Sequence, residues 1–276
     1  NDLKKDFGPS KLGYKNLRKL NSTLAQLGTQ LLIVPIPTRG LVEAQQLGKI
    51  QYDIKGGRRA YKRYLQRLRK VGLQVPSLPQ LFDPIEASTL RGETPESLFF
   101  SRDHHWNSHG ARRVARLTAA HIKTLDIYPA LTKSVFRTQS KSRRVLDGSL
   151  QRAAFKICGR HYPLEQFEEY VTESLSTDDL FAELPEAEVV LVGTSNSKGK
   201  LNFNFSGFLS EYSQLDVLNL AQSGGGYSGA LQQYLASEAF SRKPPKLLIW
   251  ELPSYYNLNS SEFFDALLSQ LSGESL

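Results

Sequence analysis

The sequence predicts an α/β fold with a parallel central sheet, and three features of its C-terminal third carry that expectation. Short apolar runs, EVVLVG at 188–193, LDVLNLA at 215–221 and KLLIWEL at 246–252, alternate with helical patterns, one of them around residues 230–240. Their apolarity is continuous rather than alternating, as in strands covered on both faces. Turn-forming residues come directly after the first two runs: Gly193 after one, Gly224 to Gly226 after the next.

The earlier elements fit the same plan. Leu17, Leu20, Leu24 and Leu27 recur at helical spacing before Gly28, and QLLIVP at 30–35 then reads as a buried strand. Residues 54–82 contain no acid; Arg58, Arg59, Lys62, Arg63, Arg67, Arg69 and Lys70 surround an apolar stripe of Tyr61, Tyr64, Leu65 and Leu68. That is a basic amphipathic helix ending near Gly72. Residues 111–125 form another helix, with Asn107 or Ser108 as N-cap. Residues 130–160, with Arg137, Lys141, Arg143 and Arg144, read as irregular connection, after which the charge inverts: Glu165, Glu168, Glu169, Glu173, Asp178, Asp179, Glu183 and Glu186 crowd residues 165–188. The expected organisation is one domain over residues 1–276 with an insertion around 126–185.

Composition narrows the partners. A formal charge of +8 over 276 residues suggests an anionic partner, without distinguishing nucleic acid, lipid head groups and acidic polysaccharide. No zinc finger, RNP motif or basic heptad region accompanies it, which argues against nucleic acid. No run of eighteen apolar residues suggests a membrane span, and the single Cys158 excludes an internal disulfide framework. The chain begins NDLKK and holds no Met, so a processed or trimmed product is expected, from which an export signal or anchor could already be gone.

Chemistry in such a sheet is sought just beyond the carboxyl ends of its strands. Ser195, in GTSNS at 193–197, sits at a sharp strand-to-helix turn, a geometry that suits a nucleophile with converging backbone N–H groups. A helix cap by Thr194, Ser195 or Ser197 is the plainer reading. The glycines of NLAQSGGGYSG at 219–229 permit close approach of a ligand, or simply form a loop. A serine nucleophile needs a base and an orienting carboxylate. In SRDHHWNSHG at 101–110, Asp103 and His105 stand two apart, so in an extended segment they share a face and His104 points away. A metal site of His104, His105 and His109, or a buried structural histidine, remain the alternatives.

Taken together, DHHW at 103–106 followed by NSHGA, GTSNS, the Asn219 glycine-rich loop and IWELP at 249–253 resemble the SGNH-hydrolase-like O-acetyltransferases of bacterial exopolysaccharides, above all the periplasmic alginate O-acetyltransferases. The resemblance covers roughly residues 99–256. It implies a three-layer SGNH-type fold in permuted order, the Asp/His block preceding the Ser block. It also implies Ser195 as nucleophile, His105 as base, Asp103 as orienting acid, backbone N–H groups of Ser195 and Gly226 as oxyanion donors and Tyr256 as a substrate contact. Asn196 stands at a substrate-facing position where an aromatic is expected, a departure that bears on polymer specificity rather than on the triad.

The implied activity is acetylation of an exported polysaccharide in the periplasm, without metal or organic cofactor, the acetyl donor being delivered by a membrane-bound O-acyltransferase. A carbohydrate acetylesterase with the same triad, or a non-catalytic polysaccharide-binding subunit, would look alike in sequence. The basic helix at 58–70 and the cluster at 137–144 either follow an anionic polymer or are solvated faces. Relatives carrying a C-terminal carbohydrate-binding module extend beyond this chain, so no such module is expected within it.

Overall fold

A computed structural model describes residues 3–82, 97–175, 187–198 and 203–272. At its centre is a four-stranded sheet in the order β1 (Gln30–Ile36), β6 (Leu247–Pro253), β4 (Val189–Val192), β5 (Val217–Asn219), with every pair parallel. All residues of β4 and β6, and all but the first of β1, are buried. Strands without an exposed side require cover on both faces, which accounts for their uninterrupted apolarity. Helices α1 (Lys11–Gln26), α7 (Gly229–Leu235) and α9 (Ser261–Ser272) form one packed group, and α4 (Ser108–Ile122) packs on α6 (Phe205–Ser213) in another.

Local signals set the helix ends. Ser10 caps α1 by accepting from the Gly13 N–H, and Leu17, Leu20 and Leu24 are buried, whereas Leu27 falls past the helix and is exposed. Gly28, at φ +82°, provides the left-handed residue that releases the chain toward β1. The basic helix α3 (Ile54–Lys70) buries Tyr61, Tyr64, Leu65 and Leu68 as expected. Arginines of this helix have partners in the fold, among them Arg58, which donates to the Leu41 carbonyl, and Arg69, which donates to those of Val75 and Pro76. Asn107 caps α4.

Two expectations need correction. Residues 130–160 are not irregular: they hold β2 (Phe136–Leu146) and α5 (Ser149–Cys158), and β2 pairs antiparallel with β3 (Glu165–Ser174). β2 is almost wholly exposed, so it has no apolar alternation to betray it. Its register sets Arg137 opposite Glu173 and Arg143 opposite Glu168, with Arg144 and Glu169 3.4 Å apart. The segment around 230–240 is two helices, α7 and α8 (Glu238–Arg242), because the Ser237 hydroxyl accepts from the Phe240 N–H and starts a second helix. Asp178, Asp179, Glu183 and Glu186 lie outside the described residues. No helix among the described residues is long and apolar enough to cross a membrane.

Candidate active site

Ser195 stands in the turn that leaves β4. The N–H groups of Ser197 and Lys198 both return to the Thr194 carbonyl, at 3.1 and 3.0 Å, so the chain reverses around the serine. Gly193 is required on its approach, since a Cβ there would lie 2.6 Å from Oε2 of Glu251. The Gln222 N–H donates to the Gly193 carbonyl at 2.9 Å, tying the loop after β5 to the same turn.

The partner block comes from the loop before α4, folded back so that Phe99 bridges Trp106. The Asn107 N–H donates to the Leu98 carbonyl and the Phe100 N–H to that of His105. Arg39 braces the loop by donating to the carbonyls of Phe100 and Asp103, and the Glu165 carboxylate accepts the N–H groups of Ser101 and Arg102. Trp106 is buried, and its indole N–H donates to the Asn196 carbonyl at 2.9 Å. This hydrogen bond ties the histidine loop to the serine turn.

Across that joint, His105 Nε2 lies 2.8 Å from Ser195 Oγ, and His105 Nδ1 lies 2.5 Å from Asp103 Oδ1. With Nδ1–H facing the carboxylate, Nε2 is left to accept the serine proton. Asp103 is 3% exposed and takes two further hydrogen bonds, from the His105 N–H to Oδ1 and from the Ser149 N–H, at the start of α5, to Oδ2. Burial pushes its carboxyl upward, but these donors and the His105 charge outweigh burial and hold it well below the usual carboxylate range.

The loop is not the extended segment that would send His104 away. Asp103 Oδ1 captures the N–H two residues on, bending the chain, and the His104 ring lies 3.8 Å from that of His105. His104 Nδ1 sits 2.6 Å from Ser149 Oγ. Ligand atoms of Asp103, His104 and His105 fall within 4.8 Å of one another, close enough to consider a metal. Those of Asp103 and His105 already face each other in a hydrogen bond, and His109 belongs to the first turn of α4 instead.

The remaining site candidates divide. Gly226 adopts φ +60° in the glycine loop, and a Cβ there would stand 3.9 Å from the Tyr256 hydroxyl, so these two residues lie beside each other. The ring of Tyr256 packs on Tyr227. Asn196 turns inward: its backbone N–H and its side-chain amide both donate to Thr194 Oγ1. Sequence reasoning passed over Glu251, whose fully buried carboxylate accepts from Thr194 N–H and from the Thr194 and Ser197 hydroxyls. Its signal was an acid in the middle of an otherwise apolar strand.

Comparison with known proteins agrees with this architecture. Residues 2–254 match the family model described as SGNH hydrolase-like domain, acetyltransferase AlgX. The alginate biosynthesis protein AlgX of Pseudomonas aeruginosa is 35% identical over 269 residues, covering 95% of this chain and 55% of that protein. A probable alginate O-acetylase, AlgJ of Azotobacter vinelandii, is 27% identical over 256 residues, covering 87% of this chain and 61% of its own length. The solved structure of Pseudomonas aeruginosa AlgX superposes with a TM-score of 0.87 at 33% identity, over 98% of this chain and 62% of that one. The chain therefore spans little more than half the length of the AlgX relatives it matches.

Proposed function

Because the chain belongs to the AlgX family of SGNH-hydrolase-like acetyltransferase domains, we propose that it transfers acetyl groups to hydroxyls of an exported, alginate-like polysaccharide through an acetyl-serine on Ser195. The observation that carries this reading is the unbroken hydrogen-bonded line from Asp103 through His105 to Ser195.

Each step builds on that line. His105 Nε2 takes the hydroxyl proton as Ser195 Oγ attacks the acetyl carbonyl carbon of the donor. Negative charge gathers on the carbonyl oxygen, to be met by backbone N–H groups of Ser195 and Gly226. Collapse breaks the bond to the donor's leaving group, which takes the proton from His105, and acetyl-serine remains. A sugar hydroxyl then gives its proton to His105 and attacks the same carbon; collapse returns Ser195 Oγ, which recovers the proton. Asp103 stays ionised throughout and stabilises the imidazolium twice in each cycle. Tyr256, beside Gly226, is a contact for the acceptor.

A polysaccharide acceptor, a donor delivered by a membrane-bound acyltransferase and a periplasmic location belong to the same proposal. The test is intact-protein mass spectrometry of the wild type and Ser195→Ala after incubation with a chromogenic acetyl ester, with and without mannuronate oligosaccharides. One acetyl mass on the wild type alone, passed to the oligosaccharide, is the expected result. Acetyl-serine discharged only to water would make the chain an esterase, and absence of any adduct would sink the acetyl-serine route.

A further inference from the structure

Among the described residues, Glu251 is the one fully buried acid of the central sheet, and the acetyl-transfer cycle does not use it. Resting on the acetyl-transfer reading, we propose that Glu251 is a positioning residue. From β6 it fixes the nucleophile turn on both sides of Ser195.

The proposal rests on hydrogen-bond accounting. Thr194 N–H reaches Oε2 at 2.8 Å and Ser197 Oγ reaches it at 2.9 Å, so the residues one before and two after the nucleophile are held by one oxygen. Thr194 Oγ1 accepts from both the backbone and side-chain N–H groups of Asn196, which leaves its single proton for the carboxylate, 3.0 Å from Oε1. Thus Thr194, Asn196 and Ser197, the immediate neighbours of Ser195, all hang from Glu251 directly or through one hydroxyl. The Asn196 carbonyl in turn holds Trp106 of the histidine loop. A strand residue in the sheet interior thereby governs where Ser195 Oγ stands relative to His105.

The experiment measures kcat and KM for acetyl-ester hydrolysis, with circular dichroism to establish folding, for the wild type, Ser195→Ala, Glu251→Gln, Thr194→Val and Thr194→Ser. Glu251→Gln replaces one acceptor oxygen by an NH2, so the turn loses a tie; kcat should fall by about 10- to 100-fold with KM within about twofold. Thr194→Val removes the hydroxyl that links Oε1 to Asn196 and should lower kcat in the same way, and Thr194→Ser restores most of what Thr194→Val loses. A merely structural role would lower the folded fraction and leave kcat per folded molecule unchanged. A folded Glu251→Gln with wild-type kcat overturns the proposal. If Glu251→Gln does not fold, wild-type kcat in a folded Thr194→Val overturns it equally. No turnover by the wild type sinks the acetyl-transfer reading and this inference with it, whereas wild-type turnover matched by the folded variants sinks this inference alone.

Discussion

Replacing Asp103 by Asn tests the geometry most sharply, because the carboxylate serves three donors with two oxygens. Oδ1 accepts from His105 Nδ1–H and His105 N–H, and Oδ2 accepts from Ser149 N–H. An amide has one oxygen and one NH2, so either orientation fails somewhere. With its oxygen toward His105, the NH2 meets the Ser149 N–H and leaves a buried donor unpaired, at a cost of about 1–3 kcal/mol. With its oxygen toward Ser149, the NH2 faces Nδ1, which must then accept; the ring proton moves to Nε2 and points at Ser195 Oγ. That tautomer cannot take the serine proton, and the analogous change in serine proteases lowers kcat about ten-thousand-fold. Rates of acetyl-ester hydrolysis, with circular dichroism to establish folding, decide the matter. A folded Asp103→Asn within tenfold of wild-type kcat would refute this account of the triad. Stability gives a second readout with a definite sign. The folded carboxyl is held below its unfolded value of about 3.9, so its contribution is fully present above that pH and fades as pH falls further. The Tm gap between wild type and variant should narrow as pH falls below about 4.

Other substitutions probe the supports. Gly193→Ala drives a Cβ to 2.6 Å from Glu251 Oε2 and 3.2 Å from the Glu251 carbonyl oxygen, so a loss of about 1–3 kcal/mol in denaturant melts is expected together with loss of turnover. Trp106→Phe removes the bond to the Asn196 carbonyl; stability should fall by about 1 kcal/mol or more and kcat several-fold, and an unchanged kcat would show that this joint does not set the Ser195–His105 distance. Arg144→Ala breaks a half-exposed pair with Glu169, and its cost in a thermal melt should stay below about 1 kcal/mol, with ester hydrolysis unchanged.

How much the sequence disclosed depends on which residues carry one-dimensional signals. The sheet was legible because β1, β4 and β6 are buried on both faces and so are apolar without interruption. The hairpin of β2 and β3 was not, because its first strand is exposed and partners such as Arg143 with Glu168 and Arg137 with Glu173 lie 25 and 36 positions apart; the inversion from basic to acidic was visible, but not that it meant pairing. At the site, Asp103, His105 and Ser195 could be singled out by residue type and order, and their junction at 2.8 Å depends on contacts that no local pattern encodes. His104 went astray for a local reason, since the Asp103 carboxylate bends the chain by capturing the His105 N–H, which spacing alone cannot register. Glu251 is the instructive miss. An acid inside LLIWELP is costly to bury, so it must have partners, and the nearest strand-end residues with hydroxyls to offer were Thr194 and Ser197, beside the proposed nucleophile. An unexplained charge in a buried strand thus pointed to the same turn that the serine marked, and the two signals belong to one constraint.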